Sequence, residues 1–370
     1  MKQNKPYLNI AHKGLRAFFL STALTTMAVP LVANAADDAK GSVFEEIVVT
    51  ALKRSSTLQS TPISISAVSA EKLEKMGADD MIDYIRSVPS LSLVDGGPGQ
   101  RRLVIRGVQG TGEAQVGLYY DETPVTGAPG AGNSPGDSQP DIKLFDVERV
   151  EVLRGPQGTL YGSGSMSGTL RVIFTKPNTT EFEGAFDGTI SSTAHGGGNY
   201  ELNGMVNVPL VEDKLAARAV LFWRDEAGYI DNVRLGIKDH NSQDTWDGRF
   251  MVRFNATENL TIDASAVLQR SNINGDNKWN PAIGELQIDE FTRTPFFDDT
   301  DIFNVTLNWD LDFATLTGSS SYYERRAEVN FDTTKFISTF DNNAVCAIQN
   351  GQSPATYTCA RRSNRPYQLY

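Results

Sequence analysis

The chain has 370 residues, with 34 Lys and Arg against 45 Asp and Glu, a formal net charge of −11. That acidic balance argues against nucleic acid as a partner. Two cysteines and three histidines (His12, His195, His240) leave no His/Cys cluster with metal-ligand spacing and no Ser-His-Asp arrangement.

The first 35 residues have the layout of a secretory signal. Lys2, Lys5, Lys13 and Arg16 form a basic region, Ala17 to Val32 an apolar one, and Ala33-Asn34-Ala35 a small-residue cleavage site. The apolar run is short for a bilayer span and holds Pro30. Cleavage removes four cations and no acid, so the mature balance is 30 − 45 = −15. No later stretch suits a transmembrane helix. An exported chain of this hydropathy is a periplasmic protein, a secreted protein or an outer-membrane β-barrel, whose apolar residues are hidden in alternation.

Residues 36–54 form a short acidic, flexible lead into Glu46-Ile-Val-Val-Thr-Ala51. This run has high β-propensity and no evident hairpin partner, which suits addition to the sheet edge of another protein. An ordinary first strand is the plainer alternative.

Residues 55–177 read as a compact α+β domain. Thr61 to Val68 is a strand; Ala70 to Met76 is a short helix, capped by Ser69 and stopped by Gly77; Asp79 or Asp80 caps a second helix that ends before Pro89. Leu103 to Arg106 and Val116 to Tyr120 are strands, separated by loops rich in Gly and Pro. From Arg149 to Phe174 the chain reads strand, glycine-dense loop, strand. The glycines lack the Gly-Lys-Ser/Thr ending of a phosphate loop, fail the dinucleotide spacing, and contain no Gly-x-Ser-x-Gly elbow. Paired carboxylates such as Asp121 and Glu122, or Asp298 and Asp299, read most simply as solvated faces. An enzyme is a poor reading.

From residue 182 apolar and polar residues alternate with period two through about seven segments, beginning with Phe182, Gly184, Phe186, Gly188 and Ile190 on one face. A β-sandwich also alternates. Here, however, charges recur on the polar face, as a wet lumen permits, and short turns (Leu210 to Lys214, Asn255 to Asn259, Asp310 to Asp312) alternate with long loops (Ala194 to Gly198, Asp225 to Asp244, Ser271 to Asp301). The seventh segment, near Phe313 to Arg325, is the weakest. Residues 178–370 are therefore expected to be part of an antiparallel transmembrane β-barrel. Seven strands do not close a barrel, and Arg365 to Tyr370 lacks an alternating final strand, so a fragment or truncated product is expected. Cys346 and Cys359 fall in the loop after the seventh strand, where a disulfide is plausible in an exported chain.

The order Val88-Pro-Ser-Leu, Val104-Ile-Arg-Gly107, Tyr119-Tyr-Asp-Glu-Thr-Pro-Val125 and Val150-Glu-Val-Leu-Arg-Gly-Pro156 resembles the plug domain of TonB-dependent outer-membrane receptors. Ser167-Gly168 followed by Thr-Leu-Arg-Val departs from the paired glycines and Ile-Asn strand of many relatives, which leaves the substrate class open. The resemblance implies that Glu46, Ile47, Val48, Val49, Thr50 and Ala51 are a TonB box that pairs with TonB, and that no signalling domain precedes it. It implies that Arg106, Arg149, Glu151, Arg154 and Arg171 face carboxylates on the barrel wall, and that plug loops carrying Gln109, Gln115, Asn133 and Gln139 meet the ligand. No metal or cofactor is implied. The function implied is active uptake of a scarce ligand across the outer membrane of a Gram-negative cell, by default a ferric siderophore, with cobalamin, saccharides and aromatics as alternatives. A passive porin, a periplasmic binding module and a truncated product without transport are the readings of other classes.

Overall fold

In a computed structural model the described residues are 47–334, except 79, 98, 111, 126–138 and 142, together with 368–369. The signal region, Glu46, Asn133, and Cys346 with Cys359 lie outside them.

The chain enters through β1 (Val48–Val49), which pairs antiparallel with β2 (Ser56–Thr57). The expectation that this segment lacks a hairpin partner is corrected: its partner is two small hydroxyl residues, a run too short to announce a strand. β3 (Ser64–Ser69) leads into α1 (Ala70–Met76), which Gly77 ends in the left-handed conformation at φ 62°. α2 (Met81–Ile85) starts on a full capping box, with Asp80 accepting from the Ile82 N–H and Asp83 accepting from the Asp80 N–H. The hairpin of β4 (Leu91–Asp95) and β5 (Arg101–Ile105) follows. A five-stranded sheet then forms from β3, β6 (Val116–Tyr120), β7 (Thr123–Pro124), β8 (Val147–Arg154) and β9 (Gly168–Phe174), with the short helix α3 (Gly158–Tyr161) between the last two.

Its order is β3-β8-β9-β6-β7, and β6 lies parallel to β9. All residues of β6 and β9 are buried, so both faces of the sheet centre are covered. Leu118, Val150, Val152, Leu170 and Val172 pack there with Met81 and Tyr84 of α2. Gly168 is required for this packing: a Cβ would stand 2.4 Å from the Leu153 carbonyl oxygen.

The second unit is an antiparallel sheet in up-and-down order. It comprises β10 (Glu183–Ser192), β11 (Gly198–Val211), β12 (Leu215–Glu226), β14 (Gln243–Thr257), β15 (Leu260–Ile273), β17 (Phe296–Asp310) and β18 (Thr315–Val329). Strands of 10 to 15 residues are long enough to cross a bilayer. Their outer row is apolar and exposed (Phe186, Leu202, Leu221, Phe250, Phe303, Leu316), and their inner row is polar and buried (Asn203, Arg218, Arg249, Gln269, Thr300). Loops 227–242 and 274–295 are joined by parallel pairing of β13 (Asp231–Asn232) with β16 (Gln287–Ile288). β17 begins at Phe296, inside the stretch the sequence assigned to a loop, because inward-facing Asp298 pairs with Arg325 and Asp301 with Arg270. The ladder does not close among the described residues.

Candidate functional site

The segment of residues 47–51 is clasped onto the plug by a buried charge cluster. β8 and β9 place Glu151 opposite Arg171, and both are fully buried. Glu151 Oε2 accepts from Arg171 Nη1 at 2.7 Å; its Oε1 accepts from Arg149 Nε at 2.8 Å and from the Thr50 backbone N–H at 2.9 Å. The Thr50 hydroxyl in turn accepts from Arg171 (3.0 Å) and Arg149 (3.1 Å). Arg171 Nη2 reaches Glu122 at 2.6 Å, and Glu122 also pairs with Lys53. Burial alone pulls the Arg171 guanidinium down, but Tyr161, Glu151 and Glu122 outweigh it and hold its pKa above the ordinary value.

Two tyrosines complete the clasp. The Tyr161 hydroxyl donates to the Ala51 carbonyl and the Tyr119 hydroxyl to the Tyr161 carbonyl, each at 2.7 Å. The Lys53 ammonium stands 4.4 Å from the Tyr161 ring centroid. Val49 and Ala51 are completely buried. Thr50 and Val48, with Lys53, line a cavity of about 830 Å³, walled also by residues 251–253 and 263–265, Thr315 and Thr317 near the short-turn end of the strands. The other end of the plug meets the long loops: Gln100 Nε2 donates to Asp276 Oδ1 at 3.3 Å, and the Phe296 ring lies over Gly99.

The five charged plug residues bond to groups of the plug and of residues 47–51, not to carboxylates on the wall as expected. Arg149, Glu151 and Arg171 pair with one another, with Glu122 and Glu148, and with Thr50; Arg106 and Arg154 bond to Ser64, Ser66 and the Pro89 carbonyl. Charges this deep in a sheet need partners, and here the neighbouring strands of the plug supply them. The wall is held by different residues. Arg218 grips Asp146 through two bonds of 2.8 and 2.6 Å and also Glu183 at 2.7 Å; Arg249 reaches the carbonyls of Phe145 and Asp146; Gln269 donates to the Asp141 carbonyl at 3.0 Å.

Of the loop residues expected to meet ligand, Gln109 is exposed and Gln115 half-buried. Gln139 is buried and structural: its amide accepts from the Leu103 N–H and donates to the Val116 carbonyl, both at 3.0 Å. Asp121 and Glu122 are not a solvated face either. Asp121 pairs with Lys176 at 2.7 Å and accepts from the Phe174 N–H. Asp298, likewise, is buried against Arg325. Tyr161, Lys53, Asp146 and Arg218 were missed, although Tyr161 stood within the glycine-dense run.

A mixed plug domain packed against an up-and-down sheet with an apolar outer face is the architecture of a plugged outer-membrane receptor. Residues 57–169 match the TonB-dependent Receptor Plug Domain. The chain is 30% identical over 193 residues to the ferripyoverdine receptor of Pseudomonas aeruginosa (52% of this chain, 22% of the relative). It is 29% identical over 222 residues to the pesticin receptor of Yersinia pestis (59% and 30%), and 28% identical over 230 residues to the vitamin B12 transporter BtuB of Photobacterium profundum (58% and 35%). Its fold matches that of the ferric yersiniabactin uptake receptor FyuA of Yersinia pestis, with a TM-score of 0.61 at 21% identity over 73% of this chain and 42% of that one. Residues 57–169 are thus a TonB-dependent receptor plug domain, the strands after it have the fold of such receptors' barrels, and the place of the chain is the outer membrane of a Gram-negative cell. It spans 22% to 35% of the length of these three curated relatives, all of them receptors or transporters rather than enzymes.

Proposed function

We propose that this protein acts in TonB-dependent active uptake of a ferric siderophore across the outer membrane, without enzymatic activity. Residues 1–35 serve as the signal peptide, 36–54 as the TonB-box segment, 55–177 as the plug and 178–370 as barrel. The observation that carries the reading is the clasp. A strand-forming segment, Ile47 to Ala51, is tied by Thr50 and Ala51 to a charge cluster inside a plug whose opposite end meets the long loops. Such a segment can leave the cluster and add to the sheet edge of TonB. Release of the box and rearrangement of the plug then belong to one event, because both draw on Glu151 and Arg171. The ferripyoverdine receptor supports a siderophore; the similarity to a vitamin B12 transporter keeps cobalamin as the second reading.

The test is energised uptake by cells expressing the protein, with a panel of labelled ferric siderophores and labelled cobalamin. Accumulation of a ferric siderophore that stops on deletion of residues 46–51 supports the proposal. Uptake that survives the deletion identifies a passive pore, and accumulation of cobalamin alone selects the second reading.

A further inference from the structure

The two long loops are built as one lid. Besides the parallel β13–β16 pairing, the Val233 N–H donates to the Ile288 carbonyl at 2.9 Å, and the Arg234 guanidinium lies 3.9 Å from the Phe291 ring centroid. At the centre of this lid sits His240. It is 3% exposed, and its backbone N–H donates to the Ile230 carbonyl at 2.7 Å. Its Nε2 is buried without a hydrogen-bond partner. The ring lies directly on the backbone of Gly275, where a Cβ would stand 1.9 Å from the imidazole carbon. The next two residues meet the plug: Asp276 accepts from Gln100, and the Asn277 side-chain oxygen lies 3.0 Å from the position a Cβ would take on Gly97. His240 is thus one residue from the lid's grip on the plug apex.

We propose that His240 is an acid-operated latch, whose protonation loosens the lid of residues 227–242 and 274–295 and frees the plug apex at Gly97–Gln100. A neutral imidazole can leave Nε2 unpaired at modest cost. An imidazolium must desolvate a second N–H and a charge. The charges facing it from the other loop are Asp276, which eases proton entry, and Arg293, which opposes it; Asp239 and Asp231 lie on its own loop. Burial, the largest influence, and Arg293 hold the imidazole below its ordinary pKa. The closed lid therefore keeps its full stability above the ordinary histidine value of about 6.5 and loses it as pH falls further, while the opened lid takes up the proton.

Hydrogen exchange of the full protein in detergent-solubilised outer membrane, corrected for intrinsic rates, tests this between pH 7.5 and 5.5. Peptides covering 227–242, 274–295 and 95–101 are expected to lose protection together, approaching tenfold per pH unit below about 6.5, as coupling to one proton requires. The ladder between β11 and β12 serves as the unchanged reference. His240→Phe and His240→Gln, neither of which can take the proton, both abolish the step. Absence of the step in the unaltered protein overturns the proposal. So does its persistence in either variant with native β11–β12 protection.

Discussion

Replacing Glu151 by Gln isolates what the clasp contributes. The carboxylate spends one oxygen on Arg171 and the other on Arg149 and the Thr50 N–H. An amide of the same shape keeps one acceptor and turns two donors toward a guanidinium, in a site with no exposure. Breaking a buried ion pair from one side costs about 3–5 kcal/mol, which falls on the plug as a whole. The part that falls on the box is the charge-assisted bond to Thr50, about 1.5–3 kcal/mol. At 1.4 kcal/mol per decade, the released population of the box should rise roughly tenfold to a hundredfold. Val49, fully buried, reports this directly. With Cys346 and Cys359 changed to serine, a cysteine at position 49 should react with a maleimide faster in Glu151→Gln by that factor. A rate unchanged within about twofold would refute the argument that the buried carboxylate holds the box.

Tyr161→Phe leaves the Ala51 carbonyl without its donor and should raise the same labelling rate by the equivalent of about 1–3 kcal/mol, with little effect on the wall. Arg218→Met removes the grip on Asp146 and Glu183; the plug should then lose protease protection at a lower urea concentration than the wall, and simultaneous loss would count against an anchor there. Asp80 has its pKa raised, first by burial and further by Asp141 and Asp83, with Lys143 and Arg101 opposing. Its contribution is therefore greatest below the ordinary Asp value of about 3.9 and is lost as pH rises through the raised value. Asp80→Asn keeps the helix cap and should flatten that part of the urea-midpoint profile between pH 4 and 7.

Much of the architecture was legible because its signals are local. The period of two from Phe182 onward reports a face toward lipid, and it survives as the exposed row of Phe186, Leu202 and Phe250. Gly77 as a helix stop and Asp80 as a cap depend only on neighbouring residues. The site was less legible because its partners are distant in sequence. Glu151 meets Thr50 across 101 residues, and Asp146 meets Arg218 across 72. Charge alone cannot say whether a buried arginine pairs within its domain or across an interface. Gln139 shows the same ambiguity, since loop composition suggested a contact surface where its amide bridges two strands.

The place of β3 in its sheet has a mechanical consequence. Of the five strands of its sheet β3 stands nearest residues 47–51 in the chain, yet it is an edge strand, paired only to β8. Tension entering at residue 47 would cross the short β1–β2 hairpin and next load a six-residue ladder at the sheet's margin. The remaining four strands, tethered to the wall through Asp141, Phe145 and Asp146, would not lie in the line of force. Such a plug yields piecewise from its periphery, like a fuse ahead of a fixed block, and what has yielded can rewind against an intact template.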